Sequence, residues 1–147
     1  MKIEINEIKP IEKFSYLEVG NQQSKNGNPL IISRELPIYT GEFENEKTNL
    51  DFLVVCSDLQ GVVKVDSEHK LLGEELPEFI KLLIEVELTE IENPRIGVVI
   101  CGDLYTSLEK RGASGDVRVV WRKFKDQFDW VVGVAGNHDR FGMRLKH

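Results

Sequence analysis

The chain has 147 residues, 41% apolar and 30% charged, which suits a single soluble domain with a sizeable core. No apolar run approaches the roughly 20 residues that span a bilayer, and Met1-Lys2-Ile3-Glu4-Ile5-Asn6-Glu7 has no apolar signal-peptide core, so a cytoplasmic protein without membrane contact is expected. The formal charge of −6 argues against broad, sequence-independent nucleic-acid binding, although local Arg, Lys or metal charge can still oppose the global sign at a phosphate.

Residues 1–46 differ from the remainder. Alternation over Lys2–Ile8 and Phe14–Val19 predicts half-buried strands, and Gly20 to Pro29 is a polar stretch of turn formers. Leu30-Ile31-Ile32 and Pro37-Ile38-Tyr39-Thr40 are further strand pieces, so this part reads as an antiparallel cap or edge layer. In residues 47–147 the rhythm becomes βαβαβ. Leu50 to Cys56 is a near-continuous apolar run, as in a strand buried on both faces. Glu75 to Leu88 is predicted helical, with Phe79, Leu82, Leu83 and Val86 as its apolar stripe and Pro77 in its first turn. Pro94 closes that segment before the strand Ile96–Cys101, and a polar loop follows over Tyr105–Ser114. Asp116 is a helix N-cap candidate, and the helix after it sets Val117, Val120, Trp121, Phe124 and Phe128 on one face. Trp130 to Ala135 is the third strand. The expected fold class is therefore α/β, with a parallel or mixed sheet core built on a βαβαβ unit within one domain, 1–147. Cys56 and Cys101 are expected as small, reduced core residues.

Each of the three strands in this unit ends in polar residues beside glycine: Ser57-Asp58-Leu59-Gln60-Gly61, Gly102-Asp103-Leu104 and Gly136-Asn137-His138-Asp139. Ligands of open parallel sheets bind outside the carboxyl ends of the strands, where all three strings fall. One Asp–Gly pair at a strand end is most often a turn or a helix cap. Three in succession point to one convergent site. Carboxylate and amide oxygens suit Mg, Mn, Fe(II) or Zn, and two such ions would clamp a phosphate and acidify a water. Asp103, on the middle motif, is the natural bridge between them. His138 is placed as a proton donor, with Asp139 next to it. Arg140 and Arg111 read first as solvated surface and are secondary candidates for binding phosphate. His69 reads as an exposed loop residue.

The order Asp58-Leu59-Gln60-Gly61, Gly102-Asp103, Gly136-Asn137-His138-Asp139 resembles the calcineurin-like metallophosphoesterases. Their signature is D-x-H, then G-D-x-x-D/E, then G-N-H-D/E, followed by a separate His and G-H-x-H. The G-N-H-D string is the specific part, and the likeness covers residues 50–142. It implies the N-terminal part of a four-layer αββα sandwich and two divalent ions (Mn, Fe, Zn or Mg), with a single ion on this chain as the alternative. By the same resemblance Asp58 and Gln60 bind the first ion, Asp103 bridges, Asn137 binds the second, and His138 and Asp139 are catalytic. The implied reaction is hydrolysis of a phosphomonoester or phosphodiester, on a small molecule or nucleotide, by metal-activated hydroxide.

Three departures stand out. Gln60 replaces the His of D-x-H, Thr106 stands where an acid is common, and the separate His and G-H-x-H strings do not occur before His147. Neither His69 nor His147 has the context to replace them. The domain is therefore expected to be incomplete, completed by a further segment or by another chain in an oligomer. The alternative is an inactive or truncated binding and interaction module. A nucleotide-binding α/β protein is a weaker third reading, because neither G-x-x-x-x-G-K-S/T nor G-x-G-x-x-G follows a strand.

Overall fold

Two kinds of pattern build the chain: alternating stretches in the first third and short apolar runs separated by helices after it. The computed structural model describes residues 3–4, 9–43, 48–104, 108, 116–136 and 139. Among these, the strands are β1 (Ile3–Glu4), β2 (Glu12–Gln23), β3 (Pro29–Ile38), β4 (Glu42–Phe43), β5 (Phe52–Cys56), β6 (Val62–Val65), β7 (Glu68–Leu71), β8 (Ile96–Ile100) and β9 (Trp130–Gly133). The helices are α1 (Leu72–Leu83), extended by a π-helical turn over Ile84–Leu88, and α2 (Arg118–Gln127). The result is mixed α/β, with a parallel sheet β5-β8-β9, an antiparallel sheet β3-β2-β6-β7 and a short β1-β4 pair.

The parallel sheet has β8 at its centre, with Val54 opposite Val98, Cys56 opposite Ile100, and Ile100 opposite Gly133. One face is the core. Val98, Ile100, Val120 and Phe124 are fully shielded from solvent, and Leu76, Ile80, Ile84 and Phe128 complete the packing from α1 and the end of α2. A Cβ on Gly73 would collide with the Val120 side chain, so that glycine lets α1 and α2 approach closely. Burying a Phe or Leu here contributes roughly 1.5–3 kcal/mol each.

The expectation that β5 is buried on both faces is not met. Leu53 and Val55 on β5, and Trp130 and Val132 on β9, are exposed on the sheet's other face. Among the described residues that face has only the Trp130 ring lying over Gly97. Cys101 is exposed rather than in the core.

The α1 stripe is also rotated from the predicted one. Leu72, Leu76, Ile80 and Leu83 face inward, whereas Leu82 and Val86 are exposed and Phe79 is half-buried. The segment Leu82-Leu83-Ile84-Glu85-Val86 permits several helical faces. Packing against α2 selects one of them, and the π-turn shifts the register beyond Leu83. α1 starts three residues earlier than predicted, with the Glu74 carboxylate accepting the Leu71 amide at 2.8 Å. Pro77 consequently lies inside the helix, not in its first turn.

The antiparallel sheet is more extensive than its sequence suggested. β2 runs on to Gln23, which reduces the predicted loop to Ser24–Asn28, closed by the Ser24 amide donating to the Asn28 carbonyl at 2.7 Å. The hairpin is laced by Arg34–Glu18 at 2.7 Å and Lys13–Glu35 at 3.0 Å. β3 is an edge strand, consistent with Pro29 and Pro37 within it. Phe14 meets Phe79 of α1 edge-on, with ring centroids 4.9 Å apart. Val19 joins the same core as the parallel sheet. The β6–β7 hairpin was not anticipated, and His69 lies on β7 with its side chain exposed.

Candidate functional site

The carboxyl ends of β5, β8 and β9 bring the three strand-end motifs together. The Cys101 amide donates to the Cys56 carbonyl at 2.8 Å, extending the parallel ladder one residue past β8. The Asp58 amide then donates to the Gly102 carbonyl at 3.2 Å, which joins the first motif to the second. The second and third motifs touch through their glycines. A Cβ on Gly102 would lie 2.8 Å from the Cα and N of Gly136, and a Cβ on Gly136 would collide with the carboxylate and amide of Asp103. Only glycine fits at 136 with Asp103 where it is, and Gly102 has φ +94° besides.

Asp58 and Asp103 both adopt φ +57°, the left-handed region. Asp tolerates that region better than most residues, yet each instance costs about 1–2 kcal/mol. Asp58 is exposed and Asp103 half-buried. The Ser57 hydroxyl donates to the Asp58 carboxylate, a neighbour that motif reading passed over. Leu59, between Asp58 and Gln60, is 1% exposed and anchors this loop in the core. Its carbonyl accepts the Gly73 amide at 3.1 Å, and the Gly61 carbonyl accepts the Leu72 amide at 2.7 Å, so the first motif is seated on the start of α1.

Asp139 is 2% exposed. Its carboxylate accepts the Leu104 amide at 2.8 Å through one oxygen and the Gly136 amide at 2.9 Å through the other. The Asp139 amide donates to the Gly136 carbonyl at 3.3 Å. Asn137, His138, Arg140, Arg111, Thr106 and His147 lie outside the described residues.

The donor chemistry can be weighed against a divalent ion. Among the described residues no three His, Cys, Asp or Glu side chains form a metal-binding group. The first motif, however, also offers an amide. Gln60 Oε1 is buried and has no hydrogen-bond partner among the described residues, and a buried acceptor left unpaired costs about 1–3 kcal/mol. A cation or a ligand donor would satisfy that oxygen. Asp58, Gln60 and Asp103 are all oxygen donors, so their chemistry fits a hard divalent ion.

Near the site, burial pushes the Cys56 thiol up to about 12, with the neighbouring Cys101 adding to the effect. Cys56 thus packs as a neutral thiol. Among the described residues no helix is long and apolar enough to cross a membrane. Comparison with protein-family models, with curated proteins and with solved structures found no match to this chain.

Proposed function

We propose that this chain carries the metal-binding edge of a metal-dependent phosphoesterase of the calcineurin-like type. One observation carries the reading: three strand-end motifs, in the order of that signature, meet at the carboxyl edge of one parallel sheet through the Asp58–Gly102 hydrogen bond and the Gly102–Gly136 contact. The parallel order β5-β8-β9 is compatible with the N-terminal part of an αββα sandwich, the finer fold that accompanies this reading.

In this reading Asp58 and Gln60 would hold a first divalent ion, Asn137 would hold a second, and Asp103 would serve both. When bound, the ions neutralise phosphate oxygens and acidify a water. The chain's own groups do the rest. Arg140 and Arg111 orient the phosphate oxygens by paired hydrogen bonds. A water oxygen adds to phosphorus as the ester P–O bond breaks, and His138 delivers its proton to the departing oxygen. Asp139, next to His138 in sequence, supports it in that role. The substrate class is a phosphomonoester or phosphodiester of a small molecule or nucleotide.

The test is hydrolysis of bis(p-nitrophenyl) phosphate by the full chain with Mn(II). Asp103→Asn and His138→Ala are each expected to lower the rate by about 100-fold or more. Unchanged turnover in both variants contradicts the assignment. Saturable Mn(II) binding without turnover supports a binding module in place of an enzyme.

A further inference from the structure

We propose that Asp139 is a positioning residue that fixes Asp103 in its left-handed conformation, so that the Asp103 carboxylate is preset for a divalent cation. This rests on the metal-binding reading of the strand-end motifs and goes beyond it, because it assigns Asp139 a role toward Asp103 and not only toward its neighbour His138.

The geometry is specific. The amide that Asp139 Oδ1 accepts, that of Leu104, belongs to the peptide directly following Asp103. Holding that peptide fixes the ψ rotation of Asp103. The amide that Oδ2 accepts belongs to Gly136, whose backbone packs against the Asp103 carboxylate. One buried carboxylate therefore controls both the backbone of Asp103 and the surface on which its side chain rests. A charged acceptor holding two backbone amides is worth more than a neutral pair, enough to offset one left-handed residue. Leu104 is 4% exposed, so solvent does not readily replace the bond.

Asparagine at 139 keeps the shape but has one acceptor oxygen and an NH2 that confronts an amide donor. The full chain is compared with Asp139→Asn, Asp139→Glu and, as a control, Asp51→Asn. Asp51 accepts a backbone amide, that of Arg95 at 2.7 Å, at the opposite end of the sheet. Two readouts are needed: Mn(II) affinity by calorimetry, and amide hydrogen exchange at Leu104 and Gly136 by NMR.

Asp139→Asn is expected to weaken Mn(II) binding by about 10–100-fold and to speed exchange at both amides. Asp139→Glu, which keeps two acceptors but displaces them, should fall between wild type and Asn, and it carries the test should the Asn variant not fold. Asp51→Asn should lower melting temperature while leaving Mn(II) affinity within about twofold, inside the usual limit for distant sites. Equal Mn(II) affinity in wild type and both Asp139 variants overturns this inference alone. Equal loss in Asp51→Asn overturns it as well, by showing a general stability effect. A wild-type chain that binds no Mn(II) overturns the metal-binding reading together with it.

Discussion

The two ends of the parallel sheet are both rich in aspartate, and they use it differently. At the amino end, Asp51 and Asp129 each make a two-point clamp on the start of β8. The Asp51 amide donates to the Arg95 carbonyl while its carboxylate accepts the Arg95 amide, and Asp129 repeats the arrangement with Ile96 at 3.0 and 2.7 Å. These acids satisfy amides that open β8, and the backbone around them is unstrained. At the carboxyl end, Asp139 makes the same kind of clamp on Gly136 and also accepts the Leu104 amide, directly after Asp103 at positive φ. Asp66 and Asn93 also take positive φ, in a hairpin turn and in the loop before Pro94, where a tight reversal is reason enough. Asp58 and Asp103 are different in lying side by side on hydrogen-bonded strand ends. An acid at a strand end is thus no signal by itself; two adjacent acids at positive φ, one of them followed by a peptide that Asp139 holds, set the carboxyl end apart from the amino end.

That contrast can be broken in order of effect. The largest change should come from Gly136→Ala, because the added methyl has to displace the Asp103 carboxylate and amide. We expect a loss of about 1–3 kcal/mol in urea unfolding, accompanied by a drop in Mn(II) affinity. A variant of wild-type stability and affinity would show that Gly136 is not pressed on Asp103. The smallest change concerns an acid away from both sheet ends. Asp116 accepts the Arg118 amide at 3.0 Å and pairs side-on with its guanidinium, which holds the carboxyl down at about 2, below the ordinary value of 3.8. A depressed folded value stabilises the protein above the ordinary carboxyl range, and the contribution disappears as pH falls from there through about 2. The pair is fully solvent-exposed, so the effect is small. Thermal melts should show Asp116→Asn slightly below wild type near neutral pH and indistinguishable from it at the acid end of that window. A difference that persists unchanged in acid would contradict the pairing.

Much of this was legible in the sequence, for identifiable reasons. The strands β5, β8 and β9 are short apolar runs with turn signals after them, and their succession with helices forces parallel pairing. The α2 face was readable because Val120, Phe124 and Phe128 recur at helical spacing with charged residues between them. The β6–β7 hairpin was not, because Glu68-His69-Lys70-Leu71 carries a single apolar residue. Pairing with Val62–Val65 makes it a strand, and the two-residue link Asp66-Ser67 was the available signal. The exposed face of the parallel sheet was hidden too, since Leu53 and Val55 are as apolar as buried residues. The motifs marked residues that meet at the carboxyl edge of the sheet, but the clamp by Asp139 depends on contacts across 35 positions in sequence, which no local pattern encodes.

The central claim is that the carboxyl edge of the sheet binds a divalent cation through the two strained aspartates. Calorimetric titration of the full chain with Mn(II), beside Asp58→Asn and Asp103→Asn, tests it most directly. The account predicts saturable binding to wild type, weakened at least tenfold in each variant without loss of the fold. Binding that both variants retain in full, or no binding to the folded wild-type chain, would contradict it.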